Sequence, residues 1–375
     1  MAVLKVKFKN ILCFDDFEAD FSYPKKLVNS NLENECFKNY PNIRYKKLNI
    51  VVGSNATGKT SLGKAIWKTF CFLLKKESNF LLDMISNIEK EAYIMLDCAF
   101  PDGTFFRFEA RIGVDKKILV KYQQLSMRAD DSYDTLIARL DKSNSCFVDY
   151  VQGLEGNVIG GWIFKFPSIE LGNDIISCHV SKDEQNVFAN ILKNILKSFD
   201  SLVDDVYPSI ELEDSYIVTF LNGNKPIAIT NGEKLSEIKT LSSGSKYAVN
   251  IADIIYSIKK HKNGFYFVDE QFSYVDPDLE IACLVTMVNL LDDGEQLFFT
   301  THNREILALP FPNHSFNFLR KVNGDGGVRI EMINAGKMEK RNNVNIKNLY
   351  DNDFFEVSAD TSHIFEIVHK LPSEN

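Results

Sequence analysis

The sequence predicts an α/β fold, and three observations predict it. A glycine-rich loop, Gly53-Ser54-Asn55-Ala56-Thr57-Gly58-Lys59-Thr60, stands between an apolar run and a stretch of helical periodicity. Two more short apolar runs, at 265–268 and 296–299, each end in polar residues. Residues 92–112 alternate on either side of Pro101-Asp102-Gly103, as two antiparallel strands joined by a turn do. Short apolar runs interleaved with helical stretches are the pattern of a buried, mostly parallel sheet. The expected architecture is a mixed sheet, an antiparallel β block and an inserted, mainly helical subdomain.

The elements follow in chain order. Leu4, Val6 and Phe8 point one way and Lys5, Lys7 and Lys9 the other, as on a half-buried strand. Residues 15–23 alternate in the same way, and 24–47 form a polar excursion rich in Asn and Lys. Leu48-Asn49-Ile50-Val51-Val52 then reads as a buried parallel strand ending at Gly53. The loop matches G-x-x-x-x-G-K-[ST], and Ser61-Leu62-Gly63-Lys64-Ala65-Ile66-Trp67 continues at helical spacing. Strand, glycine loop and helix are the context this motif needs. Backbone N–H groups from Gly53, Ser54, Asn55, Ala56, Thr57, Gly58, Lys59, Thr60 and Ser61 would wrap phosphate oxygens at a helix N-terminus. Lys59 would reach the β- and γ-phosphates, and the Thr60 hydroxyl would bind Mg²⁺. ATP and Mg²⁺ are the expected ligands. A chance match is the competing reading, and the flanking strand and helix count against it.

Phe265-Tyr266-Phe267-Val268 ends in Asp269-Glu270. A buried strand that stops at two acids puts both carboxylates at the carboxyl edge of the sheet, where open α/β folds bind ligands. Asp269 is the candidate metal ligand, through the water shell of Mg²⁺. Glu270 is the candidate general base on water. Gln296-Leu297-Phe298-Phe299-Thr300-Thr301 delivers His302 to the same edge, one predicted strand later. There an imidazole can hydrogen-bond the transferring phosphoryl group. Each feature alone has a plain structural explanation; their order along one chain is what favours chemistry. Leu241-Ser242-Ser243-Gly244-Ser245 opens a helix with apolar residues at 248, 251, 252, 255 and 258. The serines read as ordinary N-caps, or as an anion site in which Ser242, Ser243 and Gly244 take the γ-phosphate held by a second subunit. Asp276, in Tyr274-Val275-Asp276-Pro277, is a loop residue that could reach across the same junction.

Together these residues resemble the ABC-type ATPases, and within them the soluble SMC-like branch. Loop, acid pair and histidine match well. The segment 241–245 departs from L-S-G-G-Q, and Lys9-Asn10-Ile11-Leu12-Cys13-Phe14 carries Leu12 where the family's N-F-[RK]-[SC]-F segment has a base. Gln123, Gln124 and Gln152 are candidates for the family's glutamine loop. The resemblance implies an ABC-type head of the P-loop class spanning 1–375. It implies an inserted helical subdomain near 125–215 and completion of the head by 304–375. It also implies ATP hydrolysis at sites shared between two chains, hence a homodimer or higher homo-oligomer.

Composition bounds the partners. With 25% charged and 45% apolar residues the chain is globular, and its net charge of −8 gives no overall pull toward nucleic acid. DNA or RNA contact would need a local patch; Lys5, Lys7 and Lys9, residues 259–262 and residues 337–341 are the clusters on offer. The seven cysteines form no C-x-x-C pair and read as reduced core residues of a cytoplasmic protein. No apolar run reaches membrane-spanning length.

Within the insertion, Ser181 and Glu184 read as a capping box ahead of an amphipathic helix carrying Phe188, Leu192 and Leu196. Asn222-Gly223 marks a hairpin, and another surrounds Gly324 to Gly327. No heptad run predicts a long coiled-coil arm. The stretch after His302 is too short for the nuclease domain some relatives append. The sequence therefore resembles the stand-alone ATPases of anti-phage systems, kin of the overcoming-lysogenization-defect ATPases. It predicts an ATP-driven switch controlling a separately encoded effector, such as a nuclease or toprim protein. A DNA-repair or chromosome-maintenance head, and an ATP-stabilised scaffold of slow turnover, are the alternatives.

Overall fold

The computed structural model describes residues 1–23, 32–143, 145–154, 160–167, 180–230, 243–273, 275–324, 327–341, 344–358, 364 and 366. At its centre is a mixed sheet of six strands. Their order is Trp162–Lys165, Phe265–Asp269, Gln296–Thr301, Leu48–Gly53, Phe316–Gly324 and Gly327–Asn334. The first five run parallel and the last is antiparallel to its neighbour. Alternate residues serve two cores. Val51, Phe265, Phe267, Phe298 and Leu319 face one side. Leu48, Ile50, Tyr266, Val268, Leu297 and Phe299 face the other. A strand buried on both faces must be apolar throughout, which is why these runs read as continuous rather than alternating.

Helix Lys59–Lys75 covers the first face, laying Leu62, Ala65, Ile66, Phe70 and Leu73 on it. Gly63 is what lets it lie so close, because a Cβ there would come 2.5 Å from the Phe267 ring. Behind this helix sits a second sheet of six antiparallel strands, ordered Phe14–Asp20, Ala2–Ile11, Ala92–Ala99, Thr104–Ile112, Ile118–Ser126 and Val148–Asp149. Its inner face contributes Phe8, Phe14, Phe17 and Phe108 to the same core. Helices Ser243–Lys259 and Pro277–Leu290 cover the opposite face of the central sheet with Ile251, Ile254, Leu284 and Met287.

The segment 125–215 is spread over several layers. It holds helix Tyr133–Asp141 against the antiparallel sheet, the edge strand Trp162–Lys165 of the central sheet, and helix Gln185–Phe199. That helix packs with a three-stranded sheet (Val203–Pro208, Ser215–Phe220, Ile227–Thr230) and helix Ser243–Lys259 around a third core of Phe188, Leu192, Tyr216 and Ala252. The edge strand is tied in by a buried ion pair, Lys165 Nζ to Asp253, at 2.7 Å. Asn222-Gly223 turns the hairpin as the sequence suggests, with Gly223 at φ 74. The capping box does not form. The helix begins at Gln185, and the Ser181 hydroxyl donates to the Glu184 carboxylate instead of capping a backbone N–H. Glu184 is drawn away by Tyr256, Lys260 and Lys262, three stronger donors than a backbone amide. Cys178 lies outside the described residues; of the others, Cys71, Cys98 and Cys283 are buried and free, while Cys13 and Cys146 are exposed. No helix among the described residues is long and apolar enough to cross a membrane.

Candidate active site

Three parallel strands end side by side. Gly53, Asp269 and Thr301 close the strands Leu48–Gly53, Phe265–Asp269 and Gln296–Thr301 at one edge of the sheet. The chain then turns sharply after each. Ala56 at φ 59 and Gly58 at φ 95 shape the glycine loop, and Glu270 takes the left-handed region at φ 46. Gly58 is fixed by crowding as well as by its backbone. A Cβ there would come 2.9 Å from Cys13 Sγ and 3.1 Å from the Phe14 ring, so the tip of the first hairpin closes directly on the loop.

Lys59 is nearly buried, with 4% of its side chain exposed. Its ammonium donates to the carbonyls of Gly53 at 2.8 Å and Ser54 at 3.3 Å, and lies 3.4 Å from Glu270 Oε1. Burial pulls its pKa down, and the Glu270 charge opposes that. The Thr60 hydroxyl donates to Asp269 Oδ2 at 2.7 Å, while Thr300 donates to Asp269 Oδ1 at 2.6 Å. Burial holds Asp269 above the ordinary carboxylate range, and the two hydroxyls pull it back. His302 Nε2 sits 2.9 Å from Glu270 Oε1. That contact is the main reason the Glu270 carboxyl is held below its usual range, with Lys59 adding to it.

Loop lysine, loop threonine, both acids and the histidine thus form one connected cluster. The arrangement fits Mg²⁺ and a nucleoside triphosphate. Thr60 Oγ1 and Asp269 Oδ2 are adjacent hard oxygen donors, and no cluster of three or more His, Cys, Asp or Glu among the described residues competes for a metal. A Mg²⁺ ion takes few protein ligands and fills its octahedron with water and phosphate oxygens. A cleft of about 800 Å³ opens over Gly53, Ser54 and Asn55, walled by His302, Arg304, Arg320, Lys321 and Tyr350.

The second-subunit candidates lie elsewhere. Leu241 and Ser242 fall outside the described residues; Ser243 and Gly244 open the helix Ser243–Lys259. Asp276 caps helix Pro277–Leu290, accepting from the Asp278 N–H at 2.8 Å. Of the glutamine candidates, Gln123 is buried and donates to Leu140 O and Ser143, Gln124 accepts from Tyr122, and Gln152 stands on the short exposed helix Tyr150–Gly153. Lys5 and Lys7 both pair with Glu18.

Several residues of the cluster were not singled out from the sequence. Thr300 holds Asp269 by its hydroxyl and the Glu270 N–H by both its hydroxyl and its carbonyl. Buried Glu280 accepts from Thr301 at 2.6 Å and so fixes the residue before His302. Gln271 donates to Asp269 O and accepts from Asn250 of helix Ser243–Lys259. The Thr-Thr pair before the histidine was a readable signal for the first; the other two are set by tertiary packing.

No family model matches the chain, and no curated protein sequence does. Among solved structures it is similar to an SMC head bound to the C-terminal winged-helix domain of ScpA. That likeness has 13% identity and a TM-score of 0.52, and covers 90% of this chain and all of that one. The SMC head domain from Thermotoga maritima (13% identity, TM-score 0.43, 88% of this chain and 98% of that one) is a looser match. So is the recombination mediator RecF with a bound ATP analogue (11% identity, TM-score 0.37, 80% and 92%). The first likeness is one of fold alone, an α/β domain with a mixed and an antiparallel sheet.

Proposed function

We propose that the chain binds Mg²⁺-ATP at the glycine loop and hydrolyses it, as a switch whose closed state is a pair of chains. What supports the reading most is the single cluster in which Lys59, Thr60, Asp269, Glu270 and His302 meet within hydrogen-bond or ion-pair distance. In this reading Lys59 exchanges the Gly53 and Ser54 carbonyls for β- and γ-phosphate oxygens. Thr60 and Asp269 would hold the Mg²⁺, and the ion would supply positive charge against the phosphate chain. Glu270 takes a proton from water as the water oxygen bonds to the γ-phosphorus. The bond from that phosphorus to the β–γ bridging oxygen breaks and ADP leaves. His302 orients Glu270 and donates to the departing phosphoryl group. Ser242, Ser243, Gly244 and Asp276 of a second chain would complete the site.

The test is calorimetric titration of ATP into the wild type and Lys59→Ala. The variant should lose the charge-assisted contacts, about 1.5–3 kcal/mol, or at least tenfold in affinity. Equal affinity would remove the loop from the site. The setting proposed with this activity is control of a separately encoded effector in anti-phage defence. It rests on the sequence resemblance, and equal phage sensitivity of cells carrying wild-type and Lys59→Ala chains would end it. The fold likeness to an SMC head favours a second reading, an ATPase head of a DNA-maintenance machine. DNA-stimulated turnover would support that one.

A further inference from the structure

We propose that Lys321 is a second cation of the nucleotide site, contacting the phosphate chain of a nucleoside di- or triphosphate on its ribose side. This rests on the nucleotide reading above. Strand register places the residue. Leu319 pairs with Gly53, the last residue of the loop strand, and the two strands run parallel. Lys321 therefore stands two residues further on, about 7 Å beyond the strand end and level with the glycine loop. Residues two apart share a face of the sheet. Leu319 belongs to the core under helix Lys59–Lys75, so Lys321 projects on the side where that helix begins. It lines the cleft of about 800 Å³ together with Gly53, Ser54 and Asn55.

Its neighbours fix which end of the phosphate chain it meets. Burial pushes the Cys13 thiol up, and a hydrogen bond with Ser61 and the charge of Lys321 draw it back. Cys13 also crowds Gly58. Lys321 thus shares its surroundings with Ser61 and the hairpin tip, and the strand order puts it on the opposite flank of the loop strand from Glu270 and His302. That tip brings no charge of its own: Leu12, at φ 51, and Cys13 are neutral.

The charge of Lys321 is also uncommitted. It is exposed, and among the described residues no carboxylate lies within ion-pair distance of it. Its neighbour Arg320 already pairs with Glu331 and Glu356, Lys59 faces Glu270, and Arg304 lies over the Tyr350 ring. A triphosphate bound at Lys59 with one Mg²⁺ keeps excess negative charge, and a free cation at the ribose end would offset it.

The experiment measures ATP and ADP affinity of the full-length chain, wild type against Lys321→Ala, Lys321→Arg and Lys59→Ala, by displacement of a fluorescent nucleotide. Lys321→Ala should weaken ATP and ADP alike by about tenfold, which is about 1.4 kcal/mol, because both share the ribose-side phosphates. Lys321→Arg should restore most of the loss, and unchanged melting would show that folding is intact. If Lys321→Ala binds within twofold of wild type while Lys59→Ala fails, the role of Lys321 is refuted and the nucleotide site stands. If ATP weakens and ADP does not, Lys321 meets the γ end and the placement argued here is wrong. If neither variant alters binding, the nucleotide reading itself falls, and this inference with it.

Discussion

Replacing Glu270 by Gln separates the two jobs proposed for its carboxylate. Glu270 Oε1 lies 3.4 Å from the Lys59 ammonium and 2.9 Å from His302 Nε2. The amide keeps the length of the side chain and an oxygen that can accept from His302, so the fold should hold. It cannot take a proton from water, and loss of a general base costs about 10²–10⁴-fold in turnover. Binding should move the other way. A unit charge 3.4 Å from Lys59 is worth about 1 kcal/mol in water and about 5 kcal/mol at an effective dielectric of 20. Glu270 also shares its charge with His302 at 2.9 Å, so the net figure falls toward the low end. That attraction holds Lys59 away from phosphate, and the same carboxylate repels the γ-phosphate. Removing it should tighten ATP binding by about tenfold, or about 1.4 kcal/mol. Single-turnover hydrolysis with labelled ATP, paired with equilibrium filter binding, reads both quantities. Turnover within a few-fold of wild type would make another residue the base. Weaker ATP binding would refute the claim that Glu270 competes with phosphate for Lys59.

Two further outcomes follow from the same geometry. Burial raises the Asp269 pKa, so between the ordinary value and the raised one the folded chain keeps a proton that the unfolded chain has released. The associated stability is complete below about pH 4, the ordinary carboxylate value, and is lost as pH rises through the raised pKa. At neutral pH the ionised carboxylate is therefore held at a cost, and Asp269→Asn should melt about 1 °C higher by calorimetry, a gain that shrinks toward pH 4, while Mg²⁺-dependent hydrolysis disappears; a lower melting temperature would contradict this. Ser243→Arg puts a bulky cation at the first turn of helix Ser243–Lys259; light scattering should show ATP-dependent association lost while each chain still binds ATP, and intact association would leave 241–245 an ordinary helix start.

The central sheet was legible because its strands are buried on both faces. Runs such as Phe265-Tyr266-Phe267-Val268 need no partner to be recognised. The candidate cluster was legible for a related reason: each of its residues lies at the end of such a strand or in the loop and helix start that follow one, so finding the strand places the residue. The insertion was harder. Trp162–Lys165 is only four residues long, and its apolar character is shared by half-buried loops; only its parallel pairing with Phe265–Asp269 makes it a sheet edge. The capping box at Ser181 failed because sequence spacing counts local partners alone. It could not anticipate Tyr256, Lys260 and Lys262 arriving from the end of a helix and the turn after it, more than seventy residues away. The same limit hid Lys321, which looks like any exposed strand lysine until register sets it beside the loop.

Glu270 shows why the buried polar groups around the site belong to its function. At φ 46 it departs from the strand that precedes it, and a non-glycine residue held there costs roughly 1–3 kcal/mol. In the extended conformation its side chain would follow the alternation of the strand and point to one face of the sheet, away from Asp269. The left-handed turn instead swings it over the strand end, between Lys59 and His302. Such a turn persists only where its surroundings overdetermine it. Thr300 does this twice, accepting the Glu270 N–H at its carbonyl and at its hydroxyl. Gln271 does so once more, anchored to the Asp269 carbonyl and to Asn250. Thr300 also donates to Asp269, so one side chain sets Asp269 and the turn that carries Glu270. The two carboxylates are therefore not independent. Any movement of the strand Gln296–Thr301 moves both, together with His302 at its end, so the geometry proposed for hydrolysis is made or broken as a unit.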